Sequence, residues 1–297
     1  MSDNVQYRKG FRNNYRKSVP APEALGKDIK FGWSDLLFWL FNGFRLPAIV
    51  AYPDFPSKRT TLYKIARRHR YRLTNKTLNK PDLIVYFQDS TYGDSSELKK
   101  IYPDKRIINV DCTDISKKRV DEIHRTVFGY NTFIDPLTYK GIAVLKSDLN
   151  AMHDGRKVSC PVDRIEQGGV YQALINNEVD EHLVMDYRVV VIGKVIPIVY
   201  KKFKSMENRF TNVVERSQLC DTTEVLNDTE TGLILKFSRE IGADFCELDV
   251  LRNSDDGKIY IIDVNKTPYG PPAGLPEAET KKAVDVLSTT FYDEFLK

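Results

Sequence analysis

The sequence has few of the residues on which common catalytic motifs depend. Its 297 residues include four cysteines without C-x-x-C spacing and four histidines without H-E-x-x-H or H-x-x-H spacing. It contains no G-x-S-x-G segment and no Walker phosphate loop, and no G-x-G-x-x-G segment follows the first predicted strand. These absences argue against a zinc site, a disulfide scaffold, a nucleophilic hydrolase, a P-loop kinase and a dinucleotide-binding Rossmann domain.

Long hydrophobic runs and a strong net charge are also missing. The most apolar stretch, residues 36–51, is interrupted by Asn42, Gly43 and Arg45 and is too short to span a bilayer. We interpret it as a buried helix leading into a strand, with a membrane-surface contact as the alternative. The N-terminus has no apolar signal core, so we expect a cytoplasmic protein without a transmembrane segment. The net charge of +4 does not indicate a nucleic-acid partner, and a homodimer stays open.

The patterning along the chain predicts several units. We expect residues 1–28 to form a basic flexible arm. Residues 29–130 alternate between strands and helices, which predicts a doubly wound, mostly parallel α/β domain. Its predicted strands cover residues 48–52, 71–74, 82–87 and 106–110, and its helices cover 57–70, 95–102 and 114–127, the last capped by Asp114. Two α+β lobes follow, over residues 131–176 and 177–297, with a hairpin turn at Gly193 and Lys194 and a final helix over 277–295.

Two apolar runs near the C-terminus each deliver an acidic residue. Asp249 ends one run, and Asp263 and Asn265 close the next. Residues i and i+2 share a face of a strand, so Asp263 and Asn265 point the same way, and a hairpin partner could bring Asp249 beside them. Three hard oxygen ligands of this kind suit Mg²⁺. The alternative is an ordinary hairpin with acidic residues on its solvent-exposed face.

The pattern of residues in and after the hairpin favours the interpretation as a metal site. The hairpin resembles the terminal signature of the ATP-grasp superfamily, in which an Asp in one strand is followed by Glu/Asp-x-Asn in the next and often by a Thr-Pro turn. This sequence has Asp249, then Asp263-Val-Asn265, then Thr267-Pro268. The resemblance implies an ATP-grasp fold behind an N-terminal doubly wound pre-ATP-grasp domain, and MgATP bound between two α+β lobes.

Further positions match the family in order along the chain. Lys146 ends an apolar strand before a loop, where a lysine can hold nucleotide phosphates or extend into water. The family's loop is glycine-rich, whereas residues 148–155 contain one glycine. The resemblance further implies a phosphate contact at Lys117 or Lys118, of which we choose Lys118. It also implies a ribose contact among Glu178, Asp180 and Glu181, of which we choose Asp180, and an adenine-reading hinge at Gln172, Ala173, Leu174 and Ile175.

The segment around Arg188 resembles the Asp-x-Arg-Val-x-Val-x-Gly strand of glutathione synthetases and ribosomal-protein glutamate ligases. An arginine there can clamp the transferred phosphoryl group. By the same resemblance, Lys201, Lys202 and Asn212 approach the triphosphate, although only one of the two adjacent lysines can face the site. Catalytic roles are expected for Arg188 and Lys202. The prolines and glycines of residues 269–275 predict a rigid loop, which we place near the substrate that accepts the transferred group.

The resemblance implies a MgATP-dependent carboxylate-amine ligase that acts through an acylphosphate on a small molecule or peptide. A small-molecule kinase of the same superfamily is the alternative, and a nucleotide-binding module without turnover is a third hypothesis. The D-alanine ligases carry an arginine two positions before the first metal acid, where this sequence has Glu247. This departure leaves the reaction type open, since Arg188 or Arg252 could replace the missing oxyanion donor.

Overall fold

A computed structural model of the protein describes residues 47–297. The predicted basic arm and most of the apolar stretch before residue 47 lie outside the described residues. In the part that is described, no helix combines the length and the apolar character needed to cross a membrane.

The first sheet is parallel and has the strand order β2-β1-β3-β4. Helix α1 covers one face, where Leu62 and Ile65 pack with Val85, and helix α2 covers the other, where Leu98 packs with Tyr86. A sheet covered on both faces is the doubly wound arrangement expected for this region. Its elements are β1 (Ala48–Pro53), α1 (Thr61–Arg68), β2 (Arg72–Thr74), β3 (Leu83–Phe87), α2 (Ser96–Ile101) and β4 (Ile107–Ile108).

Two predicted boundaries in this region are wrong for local reasons. Asp114 does not cap the next helix, α3 (Lys117–Phe128), because the carboxylate accepts from the backbone N–H of Ser116, and the Ser116 hydroxyl caps the helix instead. The fourth strand is shorter than predicted, because Asn109 adopts a left-handed backbone conformation (φ 61°) directly after Ile108. Side chains that bond to nearby backbone, as at Ser116, set such helix starts, and asparagine adopts the left-handed conformation more readily than most residues.

Two antiparallel sheets form the rest of the molecule. The smaller has the order β6-β5-β7, and the larger has the order β10-β9-β8-β11-β12. Helix α5 spans the predicted residues 277–295. The elements are β5 (Gly141–Ser147), β6 (Arg156–Cys160), β7 (Gly169–Ala173), β8 (Leu183–Ile192), β9 (Val199–Ser205), β10 (Arg216–Cys220), α4 (Asp228–Glu240), β11 (Phe245–Arg252), β12 (Ile259–Asn265) and α5 (Glu277–Phe295).

One face of the five-stranded sheet carries a large apolar core. Val189 of β8 and Leu248 of β11 pack there against Val120 of α3 and Phe237 of α4. Helix α3 lies within the range expected for the N-terminal domain, yet it packs on this C-terminal sheet. Its first residues are thereby held at the edge of β12.

The opposite face of the sheet changes character along its strands. Ile192 and Val190 of β8 lie in a core shared with α5 and the first sheet, whereas Arg188, two residues further, is partly exposed to a cavity. On β11, Phe245 belongs to the shared core, and Glu247 and Asp249 line the cavity. One half of the face therefore anchors the N-terminal sheet, and the other half is left for polar chemistry.

The acidic hairpin has an irregularity at its centre. Asp249 pairs with Asp263 and Glu247 with Asn265, but Val250 pairs with Ile261, so Ile262 is an extra residue on β12. A bulge of this kind changes the facing of the side chains on either side of it. Ile261 faces the core while Asp263 and Asn265 line the cavity.

Asn109 joins the first sheet to the five-stranded sheet. Its fully buried side chain accepts a hydrogen bond from the Phe245 backbone N–H (2.8 Å) and donates to the Phe245 carbonyl (2.7 Å) and the Lys266 carbonyl (3.3 Å). Asn109→Ala would leave these buried backbone groups without partners. We expect it to lower the free energy of unfolding by about 2–4 kcal/mol in urea titrations.

The exposed Asn131 provides the matched control, because its side chain donates to a single nearby carbonyl. We expect Asn131→Ala to cost less than about 1 kcal/mol. Equal losses for the two variants would contradict the role of Asn109 as the link between the sheets.

Candidate active site

A cavity of about 470 Å³ lies between the three-stranded and five-stranded sheets. Its wall includes most residues that the sequence predicted for the site: Lys146, Gln172, Ala173, Leu174, Ile175, Arg188, Lys202, Asn212, Asp249, Asp263 and Asn265. Three predicted residues, Lys118, Asp180 and Lys201, are not part of this wall.

Asp249 is the centre of the charged surface. Arg188 donates from Nε to Oδ1 (3.1 Å) and from a terminal nitrogen to Oδ2 (3.3 Å), and Lys202 Nζ donates to Oδ1 (2.9 Å). Burial favours the neutral acid, but Arg188 and Lys202 together hold the pKa of Asp249 well below its usual range. The carboxylate is therefore ionised and hydrogen-bonded on both oxygens, as buried charges require.

Asp263 has its own cation. Lys117, whose side chain is 7% exposed, donates from Nζ to Oδ1 of Asp263 (2.5 Å). The Asn265 amide oxygen accepts from the backbone N–H of Thr267 (3.0 Å), which fixes the orientation of the amide. Two carboxylates and one amide oxygen thus share one face of the hairpin.

Among residues 47–297, no group of three or more His, Cys, Asp or Glu side chains is arranged to hold a metal ion. Asp249, Asp263 and Asn265 supply two carboxylates and one amide, which is a partial set. Mg²⁺ is usually bound by one or two carboxylates, with water and substrate phosphates as its other ligands. The donors present suit a metal that arrives with a polyphosphate.

Lys146 lies opposite the hairpin at the end of β5. Its partly buried ammonium group loses hydration, which, with the nearby charge of Lys117, lowers its pKa from 10.5 to about 8. The following loop, residues 148–155, packs on the start of α3, since the Asp148 carbonyl and carboxylate accept from the backbone N–H groups of Lys117 and Lys118. The loop has non-glycine residues with left-handed backbone at Ala151 and His153 (φ 60° and 51°). Its shape therefore does not depend on glycine.

The structure distinguishes the two adjacent lysines of α3. Lys117 lines the cavity, whereas the Lys118 side chain is 68% exposed and lies 3.7 Å from Asp148. Helix neighbours point about 100° apart, so only one of them can face the hairpin. Sequence alone could not decide which, because it does not contain the rotation of α3 on the sheet.

The predicted adenine hinge lies at the end of β7. Gln172 donates from Nε2 to Oγ1 of Thr132 (2.7 Å), and the Ile175 carbonyl accepts from Arg209 (2.6 Å). Arg209 is buried and also donates to Asn177 (2.6 Å). This arginine fixes the position of the hinge backbone.

Three other expected residues lie elsewhere. Asp180 is exposed and its carboxylate accepts from the backbone N–H groups of His182 and Leu183, so it caps a turn. Lys201 lies on the opposite face of β9 from Lys202 because strand neighbours alternate. Arg252, considered as an oxyanion donor, pairs with Glu230 (2.6 Å) away from the cavity.

Sequence reasoning missed a second buried ion pair in the wall. Lys204 lies 2.8 Å from Asp186, and Asn177 donates to the same carboxylate (2.9 Å). Lys204 is two residues after Lys202, and Asp186 is two residues before Arg188. The period of two along β8 and β9 was the signal that could have found both.

Comparisons with protein-family models and with curated proteins find no match. Solved structures do match. The ATP-grasp ligase PsnB, in complex with its precursor peptide PsnA2 and AMPPNP, has a TM-score of 0.53 at 11% identity, over 83% of this chain and 97% of that one. The D-alanine–D-alanine ligase of Bacillus anthracis complexed with ATP has a TM-score of 0.52 at 12% identity, over 85% and 96% of the two chains.

The protein has the ATP-grasp fold. At such low identity this likeness concerns the fold, and it confirms the resemblance inferred from the hairpin and the Arg188 strand at that level. The cavity residues also fit MgATP. Lys117 and Lys146 would hold phosphates, and the hairpin oxygens would hold the metal.

The assignment of Lys117 can be tested against its neighbour. We expect Lys117→Met to weaken AMPPNP binding at least about 10-fold in isothermal titration calorimetry, because a charge-assisted contact to phosphate is lost. We expect Lys118→Met to change the affinity less than about 2-fold, since this exposed side chain is solvated. A larger loss for Lys118→Met than for Lys117→Met would restore the original choice of Lys118.

The lowered pKa of Lys146 predicts a pH dependence. A folded-state pKa of about 8 means that the ammonium charge is complete well below pH 8 and is lost as the pH rises through 8. We expect AMPPNP affinity to fall across this window, with proton uptake on binding, because the phosphates favour the charged lysine. Calorimetry in buffers of different ionisation enthalpy measures both effects.

Lys146→Arg is the control for this titration, because arginine stays charged over the whole range. We expect its AMPPNP affinity to vary less with pH between about 7 and 9, without proton uptake. Identical pH profiles for the wild type and Lys146→Arg would assign the titration to another group.

Proposed function

We propose that this protein is a MgATP-dependent ligase that joins a carboxylate to an amine. The observation that carries the proposal is the partly buried face on which Asp249 and Asp263 alternate with Arg188, Lys202 and Lys117. Opposite charges at this spacing match a metal-polyphosphate complex, which itself contains both signs. The ATP-grasp fold, whose solved examples include peptide and D-alanine ligases, supports the same reaction class.

MgATP, when bound, would supply the phosphoryl group that converts the substrate carboxylate into an acylphosphate. The substrate amine then forms the new C–N bond, phosphate leaves, and the amine proton passes to solvent; ATP has become ADP and phosphate. The contributions of this chain are positioning and charge stabilisation. Lys146 and Lys117 would hold phosphates, Arg188 and Lys202 would stabilise charge at the reacting centre, and Asp249, Asp263 and Asn265 would hold the metal.

The substrate is a small molecule or a peptide. PsnB is solved with a precursor peptide, which supports a peptide as one class of substrate for a chain of this fold. Tyr269, Pro272 and Ala273 of the predicted acceptor loop line the cavity, which supports a role of this loop in substrate binding.

A small-molecule kinase is the second candidate, and Glu247 is the observation that favours it. The D-alanine ligases have an arginine at the equivalent place, and a carboxylate cannot stabilise an oxyanion. A kinase would transfer the phosphoryl group to a hydroxyl and stop there.

The two candidates differ in the fate of phosphate. We expect the wild-type protein with MgATP and pooled carboxylic acids and amines to release inorganic phosphate, as seen by ³¹P NMR. A phosphoryl group retained on an organic product would establish the kinase instead. Tight nucleotide binding without ATP consumption in any pool would indicate a binding module.

The metal role of the hairpin has its own variant. We expect Asp263→Asn to lower turnover at least about 100-fold, because a bound metal supplies several kcal/mol of charge stabilisation. AMPPNP binding in EDTA should not weaken, since Lys117 is freed from its ion pair. Asp256→Asn, an exposed carboxylate at the hairpin turn, should keep full activity; full activity of Asp263→Asn would exclude the metal assignment.

A further inference from the structure

Glu247 is the one side chain of the charged face whose role the proposed reaction does not explain. It lies on β11 two residues before Asp249, on the same face of the strand, and lines the cavity. Its side chain is 1% exposed, so it is as inaccessible as the apolar core next to it. It stands where the sheet changes from apolar to ionic.

Both carboxylate oxygens of Glu247 accept no hydrogen bond from residues 47–297. Its nearest charged partner is Arg188, whose terminal nitrogen is 3.6 Å from Oε2, beyond hydrogen-bond distance. Arg188 directs its other two donor nitrogens at Asp249, and Lys202 is also bonded to Asp249. The cations of the face are therefore committed to the neighbouring acid.

A buried carboxylate without hydrogen bonds is costly, and native proteins rarely keep one without a purpose. The backbone around Glu247 supplies no relief. A side-chain carbon at Gly270 would lie 2.5 Å from Oε1, so the acceptor loop approaches this carboxylate closely without a donor side chain. Both oxygens therefore lack hydrogen-bond donors on a residue that lines the cavity, and a donor group of a ligand would satisfy them.

The chemistry of the site selects the ligand. A phosphate or carboxylate would bring no hydrogen to the oxygens of Glu247 and would be repelled by their charge. A hydroxyl brings one donor hydrogen, whereas a primary ammonium group brings three and makes charge-assisted hydrogen bonds to a carboxylate. Two unpaired oxygens of one carboxylate are best satisfied by an amine.

We propose that Glu247 binds the amino group of the acceptor substrate through its two carboxylate oxygens. The inference rests on the ligase function proposed above and specifies its acceptor as a primary amine. Glu247 adjoins Arg188, so the amine is held beside the group that clamps the reacting centre. Glu247, which favours a kinase when compared with the D-alanine ligases, then binds the acceptor of a ligase.

The test measures binding, not turnover. The wild-type protein saturated with AMPPNP and Mg²⁺ is mixed with amides of the common amino acids and with the same amides N-acetylated, and thermal unfolding is recorded. We expect at least one free amine to raise the melting temperature while its acetylated counterpart does not. We expect Glu247→Gln to weaken the binding of that amine at least about 10-fold in calorimetry, with AMPPNP affinity unchanged.

Glu240→Gln, the same change at an exposed position of α4, should bind the amine like the wild type. If Glu247→Gln does not bind AMPPNP, Glu247→Asp replaces it, since it keeps the charge but withdraws the oxygens by one methylene. The wild-type comparison of free and acetylated amides decides the matter even if both variants fail to fold.

Several results would overturn the inference. They are a preference for acetylated over free amides, no response to any amine by AMPPNP-bound wild type, or equal amine affinity in the wild type and Glu247→Gln. If Glu247→Gln loses affinity for Mn²⁺ but keeps its affinity for the amine, Glu247 is a metal ligand instead. A wild-type protein that does not bind AMPPNP would refute the proposed function itself, which separates the two failures.

Discussion

The buried ion pairs on one half of the five-stranded sheet are the constraint around which the rest of this structure is arranged. Arg188 and Lys202 bond to Asp249, and Lys117 bonds to Asp263. Charges taken out of water are tolerated only with good geometry and satisfied hydrogen bonds. Three distant segments of the chain must therefore meet in one place. They are helix α3, the strand pair β8 and β9, and the hairpin of β11 and β12.

The same sheet face also holds the N-terminal domain. Its apolar half, with Val190, Ile192 and Phe245, shares a core with helix α5 and the first sheet. Packing on this half fixes how close the N-terminal domain stands to the ionic half. Glu247 lies at the junction, where apolar packing removes water and the charged cavity begins, and this explains why a carboxylate that lines the cavity is also buried.

Much of the fold could be predicted from local pattern. The period of two in the strands, the turn residues and the helix ends located most elements, including α5 and the acidic hairpin. One error arose where a side chain bonds to nearby backbone, at Ser116, and another where Asn109 takes a left-handed conformation and bonds to the distant Phe245 backbone. At the site, Lys117 and not Lys118 lines the cavity, and Asp180 and Lys201 lie outside its wall. The rotation of a helix and the facing of a strand follow from packing with distant residues, so local pattern could not predict these positions.

Residue types and spacings predict the kind of chemistry: hard oxygen donors at Asp249, Asp263 and Asn265, and cations at Lys146 and Arg188, in an order typical of ATP-grasp proteins. These features are local, since residue type and spacing of two decide them. Packing between distant parts of the chain sets which charges are hydrogen-bonded and which are not. Glu247 lacks hydrogen bonds because Arg188 and Lys202 both donate to Asp249, an arrangement that spacing along the chain does not indicate.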